Sequence, residues 1–334
     1  MKKIISLFTV FIMFCSQVGA VPVYGVFVKD KDTNKSKIKT FFAQKKEQRK
    51  IEGQKREDIR EIKKVISLLT KYSNEHDSQK LATLYDKKYR SFDGFNYDTL
   101  IKMLDETFDS YENISYKSDL QSINLYGDKA VVNLVDTTEA VIASKNMKMS
   151  LEKIPADIDL RTGYLEGVCN YAIYLQKIND EWKIIGDNII SEVTSVKYGA
   201  ARKYPMEFIA PLDVAKDSEY CLTLKMPVKR GVSIAASLGK ERILYPSAEP
   251  KDVFRKVPKD GILERVVRSN KDGFNEYAIA SVGITNTTIS PDFRSLTISM
   301  SGLAFLMQRV NLYNDINPVS EVKEDKKQDS KNEG

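Results

Sequence analysis

The chain has 334 residues, 52 Lys or Arg against 46 Asp or Glu, three Cys and a single His. Outside residues 1–20 only two Cys and the one His remain, so a closed zinc site would have to recruit carboxylates, and the length suits two hydrophobic cores that need no disulfide staples. The net charge of +6 is concentrated, because residues 29–56 alone hold eleven Lys or Arg against four Asp or Glu.

Residues 1–20 read as an export signal. Lys2 and Lys3 precede an apolar run from Ile4 to Phe14, and Val18-Gly19-Ala20 places small residues where a signal peptidase cuts. The run is too short for a spanning helix, which needs about 20 residues. The expected location is therefore exported, periplasmic or extracellular. Cys15 is disfavoured as a lipid anchor, because the large Phe14 stands where lipoprotein signals need a small residue. Export also disfavours nucleic acid as a partner for the basic segment 29–56. An anionic envelope polymer or lipid surface fits it better.

Residues 21–57 form a basic, partly helical lead-in. Ile59, Ile62, Ile66 and Leu69 then recur at steps of three and four, the stripe of an amphipathic helix ending near Tyr72. Asn74, Asp77 and Ser78 suit the capping of a second helix, Ser78 to Tyr89, and a third spans Tyr97 to Tyr111. Strands follow over Ile114–Leu125, Ala130–Ile142, Tyr164–Ile178 and Trp182–Ile190. Turns at Tyr126-Gly127-Asp128-Lys129 and Asn179-Asp180-Glu181 join two pairs of them. Residues 143–161 admit a further strand or hairpin. Helices followed by long antiparallel strands give an α+β order.

The stripe in DIREIKKVISLLTKY, the helix in SQKLATLYDKKY and the strand-turn-strand YAIYLQKINDEWKIIGDNI carry a resemblance. Residues about 58–196 resemble the nuclear transport factor 2-like fold, shared with ketosteroid isomerases and polyketide cyclases. The resemblance implies a cone-shaped curved sheet wrapped around helices, here assigned to residues 58–198. Residues 199–315 read as a second, β-sandwich-like domain, from short candidate strands punctuated by Gly and Pro. Leu296–Met300 and Leu303–Leu312 read as a hairpin about Ser301-Gly302, and residues 250–270 admit a short helix. Residues 316–334 read as a disordered charged tail.

His76 sits among cap residues and reads as structural. No Gly-x-Ser-x-Gly elbow, calcium loop or phosphate-cradling Gly loop is present. Alternation along Tyr164–Ile178 puts Leu165, Cys169, Tyr171, Ile173 and Leu175 on the face toward the helices, and Glu166, Asn170, Tyr174 and Gln176 outward. An acid for the cone would come from Asp119, Asp136 or Asp187. Tyr171 and Trp182 read as core. Cys169 and Cys221, the two cysteines left after signal removal, could pair in an oxidising compartment. No catalytic, metal or cofactor residue is assigned. The first functional reading is a non-enzymatic exported module that binds a protein or small ligand and could form a homodimer. The alternatives are envelope docking through residues 29–56, and a lyase or isomerase that uses a carboxylate in the cone.

Overall fold

The computed structural model describes residues 34–111, 113–143, 160–246, 252–289 and 296–314. The export signal, Cys15, the start of the lead-in, most of residues 143–161 and the charged tail lie outside them. No helix among the described residues is long and apolar enough to cross a membrane.

Helix α1 (Asn34–Asn74) is one 41-residue helix that runs through Gly53 without interruption. At about 1.5 Å per residue it is about 60 Å long. Residues 42–56 are exposed, whereas Ile62, Val65, Ile66 and Leu69 are buried against the sheet. The ammonium of Lys177 ties the helix down, donating to Asp58 Oδ1 at 2.8 Å and to Glu61 Oε2 at 3.2 Å. Helix α2 (Ser78–Ala82) is capped by Asp77, whose side chain accepts from the Lys80 amide. His76 takes φ of 53°, its Nε2 contacts Ile114 O at 2.8 Å and its ring stacks on Phe108, so it holds a loop.

The second helix stops well short of Tyr89. Residues Tyr85–Ser91 form strand β1, with Tyr85, Tyr89 and Ser91 buried. β1 lies parallel to a later strand, and the Ile184 amide donates to Leu84 O at 2.9 Å. An open sheet edge offers this segment tertiary hydrogen bonds, which outweigh its modest helical preference. Helix α3 (Tyr97–Ser110) starts at Asn96, which accepts from the Thr99 amide, and buries Tyr97, Leu100, Met103 and Thr107.

Four long strands follow as an antiparallel meander: β2 (Ser115–Tyr126), β3 (Lys129–Ala143), β4 (Thr162–Ile178) and β5 (Glu181–Gly199). Asn179 and Asp180 both adopt positive φ in the β4–β5 turn, a conformation that Asn and Asp tolerate better than most side chains. Bulges at Asn170/Tyr171 and Tyr174/Leu175 interrupt the ladder, and bulges bend and twist a sheet. The face toward the helices carries Val132, Leu134, Tyr171, Ile173, Leu175, Trp182 and Ile184 in one core with α1 to α3. This is the α+β order that the sequence predicts.

A 3-10 turn (Ala200–Lys203) leads to β6 (Glu207–Ile209), β7 (Asp213–Ala215), β8 (Glu219–Lys225), β9 (Val232–Arg242), β10 (Arg255–Lys256), β11 (Ile262–Arg268), β12 (Glu276–Ile289) and β13 (Leu296–Tyr313). β9 passes straight through Gly239, and no helix forms among the described residues of 250–270. β13 is also one strand. The expected hairpin at Ser301-Gly302 is a bulge, where the register with β12 shifts between Ile284 and Thr285. Gly302 is required there by packing, because a Cβ would stand 2.5 Å from the Ala201 amide nitrogen.

β13 pairs with β5 from Gln308↔Val193 to Gly302↔Gly199. Among the described residues one ten-stranded sheet therefore spans both halves, in the order β10-β9-β12-β13-β5-β4-β3-β2, with β1 on β5 and β7 on β13. The sequence-based boundary at 198/199 falls at the end of β5, and the ladder continues past it through β13. A second sheet, β11-β8-β6, covers the C-terminal part, and Leu222 and Leu224 share a core with Ile234, Ala236, Val282 and Leu306. These two layers form the sandwich-like half.

Gly261 closes a turn at φ of +79°, and a Cβ there would lie 2.0 Å from Met226 O, a backbone atom. Gly261→Ala is expected to lower stability by at least about 1 kcal/mol, read as a fall in the urea midpoint.

Candidate active site

The ladder places Asp136 of β3, Cys169 of β4 and Glu192 of β5 directly opposite one another in one row. The next row is Thr138, Gly167 and Thr194. On either side the rows are apolar: Leu134, Tyr171 and Ile189 on one, Ala140, Leu165 and Val196 on the other. These flanks belong to two separate hydrophobic clusters. A polar belt thus crosses the helix-facing side of the sheet between two cores. Asp136 and Cys169 are half-buried, while Leu134, Leu165, Tyr171 and Glu192 around them are buried.

Three acids in this region share one arrangement. Tyr171 donates its phenol to Asp136 Oδ2 at 2.7 Å. Tyr89 donates to Asp187 Oδ2 at 2.7 Å, and Tyr277 of β12 donates to Glu192 Oε2 at 2.9 Å. The other oxygen of each acid, and Thr194 Oγ1, is buried without a hydrogen-bond partner. A buried polar atom left unpaired costs about 1–3 kcal/mol, so four in one region ask for a reason.

Glu276 supplies the contrast within the same chain. It is also fully buried, but its carboxylate accepts from Tyr220, the Asn270 amide, the Asn270 side chain and Lys240. That carboxylate is satisfied and braces the fold, whereas Asp136, Asp187 and Glu192 keep accepting capacity unused.

Burial sets the protonation of the three acids. It raises Asp136 to about 6, against the opposing effects of the Tyr171 phenol and Ser118. It raises Glu192 to about 8, with the positive charge of Arg309 and the Tyr277 phenol partly offsetting it. Asp187 is pushed well above the carboxylate range by the same desolvation, which its bond from Tyr89 offsets only in part. Burial also raises the Cys169 thiol, which stays protonated at neutral pH. Near neutrality Asp136 is then mostly an anion and Glu192 mostly an acid, across one cysteine. Carboxyls whose surroundings separate their protonation in this way form an acid–base pair.

The C-terminal half completes the site. Tyr277 pairs across the sheet with Arg309, which is fully buried. The Arg309 guanidinium grips Asp93 through two bonds of 3.0 and 2.9 Å, and its Nε donates to Asn311 Oδ1 at 2.7 Å. Asn275 adds a 2.9 Å bond to Asp93. Burial works against the charge on Arg309, but Asp93 outweighs it and raises its pKa.

Of the acids named from sequence, Asp136 and Asp187 reach this region. Asp119 does not: it is exposed on β2 and pairs with Lys117. Tyr171 is core as expected, yet its hydroxyl serves Asp136. Trp182 is core. Glu192, Tyr89, Tyr277 and Arg309 escaped the sequence reading, since their partners lie 85 to 216 residues away. The usable signal was an acid at an inward position of an alternating strand, as in Val132, Leu134, Asp136. Cys169 and Cys221 are free thiols. Among the described residues no group of three His, Cys, Asp or Glu could hold a metal ion.

No protein-family model and no curated protein matches the chain. Solved structures do match part of it, and nuclear transport factor 2-like proteins are among them. One is a Streptomyces avermitilis protein of the NTF2-like family, at 12% identity over 39% of this chain and 92% of that one, with a TM-score of 0.29. A type 2 hexachlorocyclohexane dehydrochlorinase, LinA, matches at 10% identity over 40% of this chain and 85% of its own, with a TM-score of 0.33. Bd1075 of Bdellovibrio bacteriovorus matches at 18% identity and a TM-score of 0.30, and the match spans 39% of each chain.

Burial of Glu192 makes stability depend on pH. Between about 4.5 and about 8 the folded chain holds a proton there that the unfolded chain has released. Stability therefore falls as pH rises through this window and levels off above it. Glu192→Gln is expected to flatten that fall by up to about 4 kcal/mol, measured as the difference between urea unfolding at pH 5 and at pH 8.5.

Proposed function

We propose that the helix-facing side of the sheet transfers a proton on a small, neutral, largely apolar ligand, with Asp136 as base and Glu192 as proton donor. The observation that carries this reading is the repeated pair of acid and phenol, each acid with one oxygen still unpartnered. A ligand hydroxyl or carbonyl would supply what those oxygens and the protonated Glu192 lack. An anionic ligand is disfavoured, because it would face the Asp136 carboxylate in surroundings that already solvate that charge poorly. The reading departs from a module without chemistry, which the scarcity of His and Cys favoured, because buried carboxyls can do acid–base work without either. Export remains part of the proposal, on the strength of residues 1–20 alone.

A nitrobenzisoxazole, whose ring opens when one C–H proton is removed, tests for a desolvated base without the natural substrate. The full chain is expected to open it about 10²–10⁴-fold faster than acetate at the same concentration, with a rate that rises through pH 6. A rate equal to that of acetate would refute proton transfer here. A second reading, binding without turnover, draws on the two apolar clusters flanking the belt. It predicts that an apolar fluorescent probe binds and is displaced by ligand while the benzisoxazole rate stays at the acetate level.

A further inference from the structure

The second sheet covers only part of the outer face of the large sheet, and its margin leaves a step. The floor of the step is the outward side of β4 and β5. Two hollows meet there. One of about 350 Å³ is lined by Tyr164, Glu166, Lys197, Gly199, Arg202 and Lys203. The other, of about 610 Å³, shares Lys197 and runs along Pro205, Met206, Pro227 and Ile262.

The first hollow holds three cations and one acid. Tyr164 and Lys197 are direct cross-strand partners. The guanidinium carbon of Arg202 sits over the Tyr164 ring, 3.3 Å from its centre. That cation–π contact holds the guanidinium beside Lys197, the cross-strand partner of Tyr164. Among the described residues Lys197, Arg202 and Lys203 make no ion pair, although other exposed cations such as Arg242, Lys225 and Arg268 do. Glu166 cancels one charge and leaves two in excess. The second hollow also holds Lys225, paired with Glu207 at 3.3 Å, and Asp260, whose carboxylate accepts from the Ile262 amide at 3.1 Å.

We infer that this step is a binding site for a phosphoryl group carried on a less polar chain. The phosphoryl oxygens sit between Lys197, Arg202 and Lys203, where two excess positive charges match a phosphomonoester. The attached chain lies along Pro205, Met206 and Pro227. The site is on the opposite side of the sheet from the acid–tyrosine belt and does not depend on it.

Calorimetric titration of the full chain at constant ionic strength tests the inference. Inorganic phosphate is expected to bind while chloride does not, and hexyl phosphate to bind about tenfold more tightly than phosphate, since its chain buries apolar surface. Lys197→Gln together with Arg202→Gln should weaken both by about tenfold or more, and Asp136→Asn should leave both unchanged. Phosphate heats no different from chloride, equal affinity in the double variant, or equal affinity for phosphate and hexyl phosphate would each overturn the site as described. Arg202 is exposed and Lys197 half-buried, so a preserved urea midpoint of the double variant shows that a loss of binding is not a loss of fold.

Discussion

Asp136→Asn is expected to abolish benzisoxazole opening, a loss of about 10²–10⁴-fold, while the urea midpoint stays or rises. The two halves of this result have one cause. The Asp136 carboxylate is reactive because its surroundings solvate it poorly, and for that reason it also burdens the fold. Its pKa near 6 means that ionisation at neutral pH is opposed by burial. Asn has nearly the same shape, still accepts from Tyr171 and carries no charge to bury. A companion variant separates base from scaffold. Tyr171→Phe removes a phenol that stabilises the carboxylate, so Asp136 should titrate above 6 and the rate–pH profile should move to higher pH, with activity retained. If Asp136→Asn kept the rate, Asp136 would not be the base. If Tyr171→Phe left the profile in place, the phenol would not tune it.

Arg309→Met is expected to cost about 3–5 kcal/mol of stability, the largest loss from any one side chain discussed above. Both ends of the pair are out of solvent, with the side chains of Arg309 and Asp93 exposed by 0% and 1%. Removing the cation leaves Asp93 without its countercharge and frees the acceptor on Asn311. Denaturant unfolding measures the loss. The double replacement Asp93→Leu with Arg309→Met should recover much of it, because apolar groups of similar size often replace a buried pair with little cost. A loss below about 1 kcal/mol in the single variant would mean that water relieves Asp93. The same variant reports on the site, because the Arg309 charge lowers the Glu192 pKa. Without it Glu192 should hold its proton to a pH above 8.

These two results would join the halves of the chain functionally. Arg309 and Tyr277 belong to the C-terminal half, Asp93 to the loop before α3, and Glu192 to β5. The sandwich-like half is then part of the site, because β13 extends the sheet and brings Tyr277 to Glu192. A deletion after residue 199 would strip the β13 edge from β5 and the phenol from Glu192.

Local pattern alone determined a good deal. The stripe of Ile62, Ile66 and Leu69 foretold the buried face of α1, Asp77 its place as a cap, and Asn179-Asp180 the β4–β5 turn. The alternation along β4 sorted its inward from its outward side chains. Each is a short-range property, set by helix or strand periodicity and by the backbone tolerance of single residues. The fate of Tyr85–Ser91 needed the tertiary structure, since a stretch of helical texture becomes a strand only when an unpaired edge of β5 lies beside it. So did the single long β13, whose bulge and whose pairing with β5 depend on neighbours far away in the chain. The site was decided in the same way. Asp119, Asp136 and Asp187 are alike as letters, and what separates them is whether water or the protein interior surrounds the carboxyl. That is a property of packing among β1, β3, β4, β5 and β12, which no spacing along the chain records.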